Sequence, residues 1–78
     1  MNKFNIFVIK KFFKDKSRAR KAMLLLSSRE FLILSAQYDS IDGLITKKFL
    51  GSILQVTEER IRQIEKEALK KLAINKLI

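Results

Sequence analysis

The sequence predicts a small all-α domain of four to five helices that ends in a helix-turn-helix. Three features support this prediction. The 78 residues include no proline and only two glycines, so few residues oppose helix formation. Polar residues that cap helices stand before several apolar stretches. Near the C-terminus, apolar residues recur at the spacing of one helical face; they are Ile61, Ile64, Ala68 and Leu72.

The N-terminal segment, residues 1–17, is predicted to be a basic amphipathic arm. On a helical wheel its lysines at 3, 10, 11 and 14 share one sector, and apolar residues occupy the rest. The apolar run is too short for a transmembrane span, and no small-residue cleavage site follows it. We favour a helix that lies on the domain core or on a partner protein. A membrane-surface helix and a short strand over 4–9 are the alternatives.

Two helices are predicted next. The first covers 17–26, with Ala22, Met23 and Leu26 facing inward. Residues 27–30, Ser-Ser-Arg-Glu, have the pattern of a capping box, in which serine and glutamate each accept from the other's backbone N–H. A helix is therefore expected to begin there. Its apolar positions are Phe31, Ile33, Leu34 and Tyr38.

A turn and two further helices complete the chain. Residues 39–43, Asp-Ser-Ile-Asp-Gly, are typical of turns. Thr46 is expected to cap a helix over 46–54 with a wide buried stripe. That stripe consists of Phe49, Leu50, Ile53 and Leu54. Thr57 is expected to cap the last helix, whose core positions Ile61 and Ile64 would pack on Leu50 and Val56. This arrangement is typical of a helix-turn-helix, whose second helix enters the DNA major groove.

The charge distribution indicates a polyanionic partner. The net charge is +9. Residues 1–22 contain eight cations and one aspartate, a net +7, whereas the five cations and four glutamates of 58–72 leave +1. We therefore expect the N-terminal arm to supply most of the nonspecific attraction to nucleic acid or to an anionic surface. An undirected solvated face is the alternative for these lysines.

The composition also excludes several kinds of chemistry. The chain has no cysteine and no histidine, which rules out disulfides, thiolate zinc sites and imidazole bases. No nucleophile, base or ligand set converges in the sequence. We therefore expect no enzyme activity, no catalytic or metal site, no cofactor and no small-molecule ligand. A membrane partner is not expected, and a fold without disulfides suits the cytoplasm.

Three segments together carry a more specific pattern. They are Leu26-Ser27-Ser28-Arg29-Glu30, Thr46 with Leu50-Gly51, and Val56-Thr57 with Glu59-Arg60-Ile61-Arg62-Gln63-Ile64-Glu65, Ala68-Leu69 and Lys71-Leu72. This pattern resembles region 4 of primary-type bacterial RNA polymerase sigma factors. The resemblance covers roughly residues 18–73. It implies a sigma region 4-like helix-turn-helix domain over 18–78, preceded by the arm.

The resemblance implies binding of double-stranded DNA at the promoter −35 element and docking on the β flap of the RNA polymerase core. The implied DNA-binding residues are Thr57, Glu58, Glu59, Arg60, Arg62, Gln63 and Lys66. Glu59 can accept from a cytosine amino group, and Gln63 can pair with a base edge. Arg62 is placed for a phosphate or a base and Arg60 for a phosphate. Lys66, Lys70 and Lys71 are expected to contact the DNA backbone or a protein partner.

Glu58 departs from the family pattern, which usually has arginine at this position in contact with a guanine and a nearby phosphate. A glutamate repels phosphate and cannot donate to guanine, so we expect weaker binding through this helix and an altered base preference. The alternative function is a protein-interaction module that docks on RNA polymerase or on another sigma factor without reading DNA. In another alternative, Arg60 simply pairs with Glu67 or Glu58.

Overall fold

The computed structural model describes residues 6–38 and 45–78 as a set of α-helices. They are α1 (Ile6–Lys14), α2 (Lys16–Leu25), α3 (Ser28–Tyr38), α4 (Lys47–Leu54) and α5 (Glu58–Ile74). The predicted all-α fold with a C-terminal helix-turn-helix is confirmed. The alternative strand over 4–9 is wrong for residues 6–9, which belong to α1. The predicted turn at 39–43 lies outside the described residues.

Local hydrogen bonds explain where α2 and α3 begin. Glu30 Oε1 accepts from the Ser27 N–H at 2.8 Å, and Ser27 Oγ accepts from the Glu30 N–H at 3.1 Å. This is the predicted capping box, and it is confirmed. Asp15 Oδ1 accepts from the backbone N–H groups of Ser17 and Arg18 at 3.0 and 3.3 Å, so α2 has an aspartate cap that the sequence interpretation missed.

The larger of two buried clusters joins α1 and α2 to α3 and the C-terminal half of α5. Its buried members are Ile9, Phe12, Phe13, Ala22, Leu26, Leu34, Ala68, Leu69 and Leu72. The ring of Phe13 lies 5.1 Å from that of Phe12, edge to face, and 5.9 Å from that of Phe31. The favoured interpretation of the N-terminal segment, a helix on the domain core, is thus confirmed for α1. Phe12 is about as fully buried as the core residues of α5.

The smaller cluster joins α3 and α4 to the N-terminal half of α5. Ile33, Leu50, Ile61 and Ile64 are its buried members. Ile61, Ile64 and Leu50 are therefore core residues, as predicted. Val56 is only partly buried and packs against the edge of this cluster.

Two predicted inward faces are wrong in part. Met23 is 59% exposed, and Phe49 and Ile53 of α4 are 52% and 57% exposed. The short helix α4 packs on α5 through the side that carries Leu50 and Gly51. No described element covers the neighbouring side of α4, which carries Phe49 and Ile53. Periodicity defines an apolar stripe but does not decide how much of its width a neighbour covers.

Gly51 allows α4 and the turn that follows it to approach closely. A Cβ at this position would lie 2.7 Å from the carbonyl oxygen of Val56, which is closer than real Cβ atoms come to backbone. The chain folds back here because Gln55 adopts a left-handed conformation with φ of 59°, and the Val56 N–H donates to the Gly51 carbonyl at 2.9 Å. The close approach therefore requires glycine.

We predict that Gly51→Ala destabilises the domain by about 1–3 kcal/mol, since backbone must move to admit the methyl group. Helix propensity alone predicts the opposite sign, a gain of about 1 kcal/mol. Urea unfolding followed by circular dichroism measures the difference. Ser52→Ala, at the exposed neighbouring position of the same helix, is the control and should change stability little. A Gly51→Ala protein more stable than wild type would contradict the close packing.

Candidate nucleic-acid interface

Helices α4 and α5 form the helix-turn-helix, with residues 55–57 between them. Each helix begins at a threonine cap. Thr46 Oγ1 accepts from the Phe49 N–H at 3.1 Å, and Thr57 Oγ1 accepts from the Arg60 N–H at 3.0 Å. Both predicted caps are confirmed. The three-residue turn and the shared cluster around Ile61 hold the first turns of α5 in a definite direction.

The predicted DNA-binding residues lie together on the exposed side of the N-terminal part of α5. The buried side of this helix carries Ile61, Ile64, Glu65, Ala68, Leu69 and Leu72. The predicted residues are all exposed; they are Thr57, Glu58, Glu59, Arg60, Arg62, Gln63 and Lys66. The structure thus presents them as one continuous exposed surface along the first turns of α5. Thr57 has its hydroxyl oxygen occupied as the helix cap.

Charged side chains on this surface are paired with one another. Arg62 Nη2 donates to Glu58 Oε1 at 3.0 Å, and Arg62 Nη1 lies 3.5 Å from Glu59 Oε2. Arg60 Nη1 donates to Gln63 Oε1 at 3.4 Å. Among the described residues, no ion pair joins Arg60 to Glu58 or Glu67, so the structure does not show that alternative pairing. The first two turns of α5 present a nearly neutral surface.

Glu65 is part of the family-like motif, but its side chain lies in the interior of the protein. Its carboxylate is buried, accepts a short hydrogen bond from the Tyr38 hydroxyl and lies 3.2 Å from Lys47 Nζ. Burial, together with the bond to this carboxylate, raises the pKa of Tyr38 above its ordinary value. The three residues connect α3, α4 and α5, so they help to set the position of α4 relative to α5. The position of Glu65 four residues after Ile61 was the signal that it faces the core.

Lys71 also makes a contact within the protein, which the sequence does not predict. Its Nζ donates to both carboxylate oxygens of Glu30, at 3.0 and 2.9 Å. Burial of Glu30 opposes its ionisation, but the hydrogen bond from Ser27 and the contact with Lys71 outweigh that effect. The pKa of Glu30 is consequently lowered. This pair fastens the start of α3 to the C-terminal half of α5.

A second exposed feature is an apolar groove of about 350 Å³ between α2 and α3. It is lined by Met23, Ser28, Phe31, Leu32 and Ser35. The residues Ser28, Leu32 and Ser35 lie on the side of α3 opposite Ile33 and Leu34, which are buried. The groove therefore opens away from α5. Apolar periodicity does not predict this groove, because it places Met23 in the core.

The described helices include none that is long and apolar enough to cross a membrane. The same residues hold no group of three acidic side chains placed to bind a metal ion.

Comparison with known proteins agrees with this geometry. The sequence matches the family model for Sigma-70, region 4 over residues 22–73, which is two thirds of the chain. The match includes α3, α4 and nearly all of α5, and it leaves α1 outside. No solved structure matches the chain. The chain belongs to the sigma-70 region 4 family and is a DNA-binding helix-turn-helix module of transcription.

Proposed function

We propose that α5 recognises a promoter −35 element in double-stranded DNA and that the protein supports transcription initiation with RNA polymerase in the cytoplasm. The observation that supports this most is the continuous exposed surface from Glu58 to Lys66, opposite the fully buried side of the same helix. In a helix-turn-helix, these first turns of the second helix enter the major groove. We assign Glu59 and Gln63 to base edges.

Cationic side chains along the same surface suit the DNA backbone. Arg60, Arg62 and Lys66 are exposed within the first three turns of α5. Phosphate contacts of this kind orient the helix without specifying sequence. The positive end of α5 also favours phosphate, whereas the pairing of Arg62 with Glu58 and Glu59 leaves fewer free donors for it. Binding through α5 alone is therefore weak, and base preference differs from that of family members with arginine at position 58.

We predict that Glu58→Arg strengthens binding to a −35 duplex, by about 1–3 kcal/mol at one base pair, because arginine donates two hydrogen bonds to guanine. Gln63→Ala should relax preference at one or two positions and leave nonspecific binding nearly intact. Fluorescence anisotropy titrations at fixed salt, with matched and scrambled duplexes, measure both effects.

Glu67→Arg is the matched control, since it makes the same charge change at an exposed position farther along α5. It should raise affinity for both duplexes alike. If neither Glu58→Arg nor Gln63→Ala alters the ratio of matched to scrambled affinity, α5 does not read DNA. The protein-interaction module, docking on RNA polymerase or another sigma factor, would then replace this proposal.

A second basic surface, formed by α1 and α2, is proposed to supply nonspecific attraction to DNA. Its exposed cations are Lys11, Lys14, Lys16, Arg18, Arg20 and Lys21. Among the described residues of these helices and their junction the acidic side chain is Asp15, which caps α2 and lies 3.7 Å from Arg18. These helices pack near Ala68, about 15 Å along α5 from Glu58. This surface would therefore contact phosphates away from the base-reading end.

We predict that replacing Lys11, Lys14 and Lys16 by alanine lowers affinity for matched and scrambled duplexes equally. The slope of log affinity against log salt should become shallower by about 0.9 for each phosphate that the variant no longer neutralises. Deleting residues 1–16 would not test this cleanly, because it removes Ile9, Phe12 and Phe13 from the core. A thermal melt confirms that the variant remains folded. An unchanged salt slope would show that this surface does not meet DNA.

The groove between α2 and α3 supports a second role, docking on the β flap of RNA polymerase. It exposes apolar side chains, with Leu32 46% exposed, on a side of the protein that faces away from α5. An apolar protein segment can fill such a groove while α5 lies on DNA. The two surfaces together would connect polymerase to a promoter.

We predict that Leu32→Lys weakens binding of an isolated β flap domain by about tenfold or more, as expected when a charge replaces an apolar side chain at the centre of an interface. Leu24→Lys is the control, because Leu24 is 86% exposed on α2 and does not line the groove. Isothermal titration calorimetry measures both variants. Equal affinities for Leu32→Lys and wild type would place the flap contact elsewhere.

A further inference from the structure

The ion pairs at the start of α5 connect Glu58 to the DNA-binding role of Arg62. Both terminal nitrogens of the Arg62 guanidinium already face carboxylates, at 3.0 Å for Glu58 and 3.5 Å for Glu59. We propose that Glu58 is a positioning residue that holds Arg62 away from the DNA backbone and thereby limits the affinity and salt dependence of α5. This inference rests on the proposed function of α5 as a DNA reader.

The helix geometry favours this contact. Glu58 and Arg62 are four residues apart, with the acid on the N-terminal side, which is the better order for such a pair. Glu58 also lies in the first turn, where the positive end of the helix attracts a carboxylate. Each side chain remains about half exposed, so water can replace the contact and the pair can exchange with other partners.

A phosphate that approaches Arg62 competes with Glu58 for the same donors. When Arg62 binds the phosphate, the Glu58 carboxylate loses its contact with Arg62. It stays close to the phosphate, because the backbone of Glu58 is fixed in the first turn of α5. The exposed charges of this part of α5, Glu58 and Glu59 against Arg60 and Arg62, sum to zero. The helix therefore meets DNA with no net attraction from its first two turns.

This arrangement makes base reading depend on contacts elsewhere. The basic surface of α1 and α2, or docking on polymerase, can hold the domain near a duplex and raise the effective concentration of α5. Arg62 then leaves Glu58 only when α5 is already close to the backbone. The exposed surface of α5 therefore does not bind DNA indiscriminately.

Glu58 could instead act by repelling phosphate directly, without Arg62, and a double-mutant cycle separates the two mechanisms. The proteins are wild type, Glu58→Gln, Arg62→Gln and the double variant, each as the full 78-residue chain. Each is titrated with matched and scrambled −35 duplexes at several salt concentrations. Thermal melts verify that all are folded at the titration temperature.

We expect Glu58→Gln to tighten binding roughly two- to fivefold, the range for release of an exposed ion pair. The slope of log affinity against log salt should steepen by about 0.9, the value for one more neutralised phosphate. In the Arg62→Gln background, the same substitution should change neither quantity. Glu67→Gln, with the same charge change farther along α5, is the control and should leave the salt slope unchanged.

An equal effect of Glu58→Gln in both backgrounds would overturn the inference, because Glu58 would then act on phosphate directly. An unchanged affinity and salt slope for Glu58→Gln beside a weakened Arg62→Gln would overturn it as well. Both outcomes leave DNA reading by α5 intact. If neither wild type nor Glu58→Gln binds any duplex, the proposed function itself fails, and this inference fails with it.

Discussion

Burial of one side of α5 along most of its length is the constraint on which the rest of the structure depends. The helix has 17 residues, and its two halves pack in two separate clusters. Ile61 and Ile64 meet α4 and Ile33, whereas Ala68 and Leu72 meet α1 and α2. Helices α2, α3 and α4 thus pack directly on α5, and α1 packs on α2 and α3. The opposite side of its first turns stays exposed, and this is the surface that we propose enters a DNA groove.

Two buried carboxylates make specific polar contacts between the helices, in addition to this apolar packing. Glu65 connects α5 with Tyr38 and Lys47, and Glu30 connects α3 with Lys71. Apolar contacts tolerate small shifts, but a buried carboxylate needs its donors at hydrogen-bond distance because it has lost its water. These contacts therefore fix the rotation of α3 and α4 about their own axes and their position along α5. They also show that Glu65, within the family-like motif, packs in the interior of the protein.

Charge is distributed unevenly between two surfaces of the protein, the first turns of α5 and the exposed side of α1 and α2. The start of α5 is nearly neutral because the charges of Glu58 and Glu59 balance those of Arg60 and Arg62, whereas α1 and α2 carry a dense set of exposed cations. In the proposed function, long-range attraction and base recognition therefore belong to different surfaces, which would differ in their response to salt. Under this proposal, α5 adds specificity only after other contacts have brought the domain to the duplex.

The sequence by itself determined the features that depend on near neighbours in the chain. The capping box at Ser27 and the threonine caps follow from interactions within a few residues, and the polar row from Glu58 to Lys66 follows from helical spacing. Tertiary structure alone decided which apolar stripes were covered. It left Met23, Phe49 and Ile53 exposed, and it buried Phe12. It also decided that Lys71 pairs with Glu30, 41 residues away in the chain. These contacts depend on which surfaces meet in the folded protein, and the spacing of residues along the chain does not determine that.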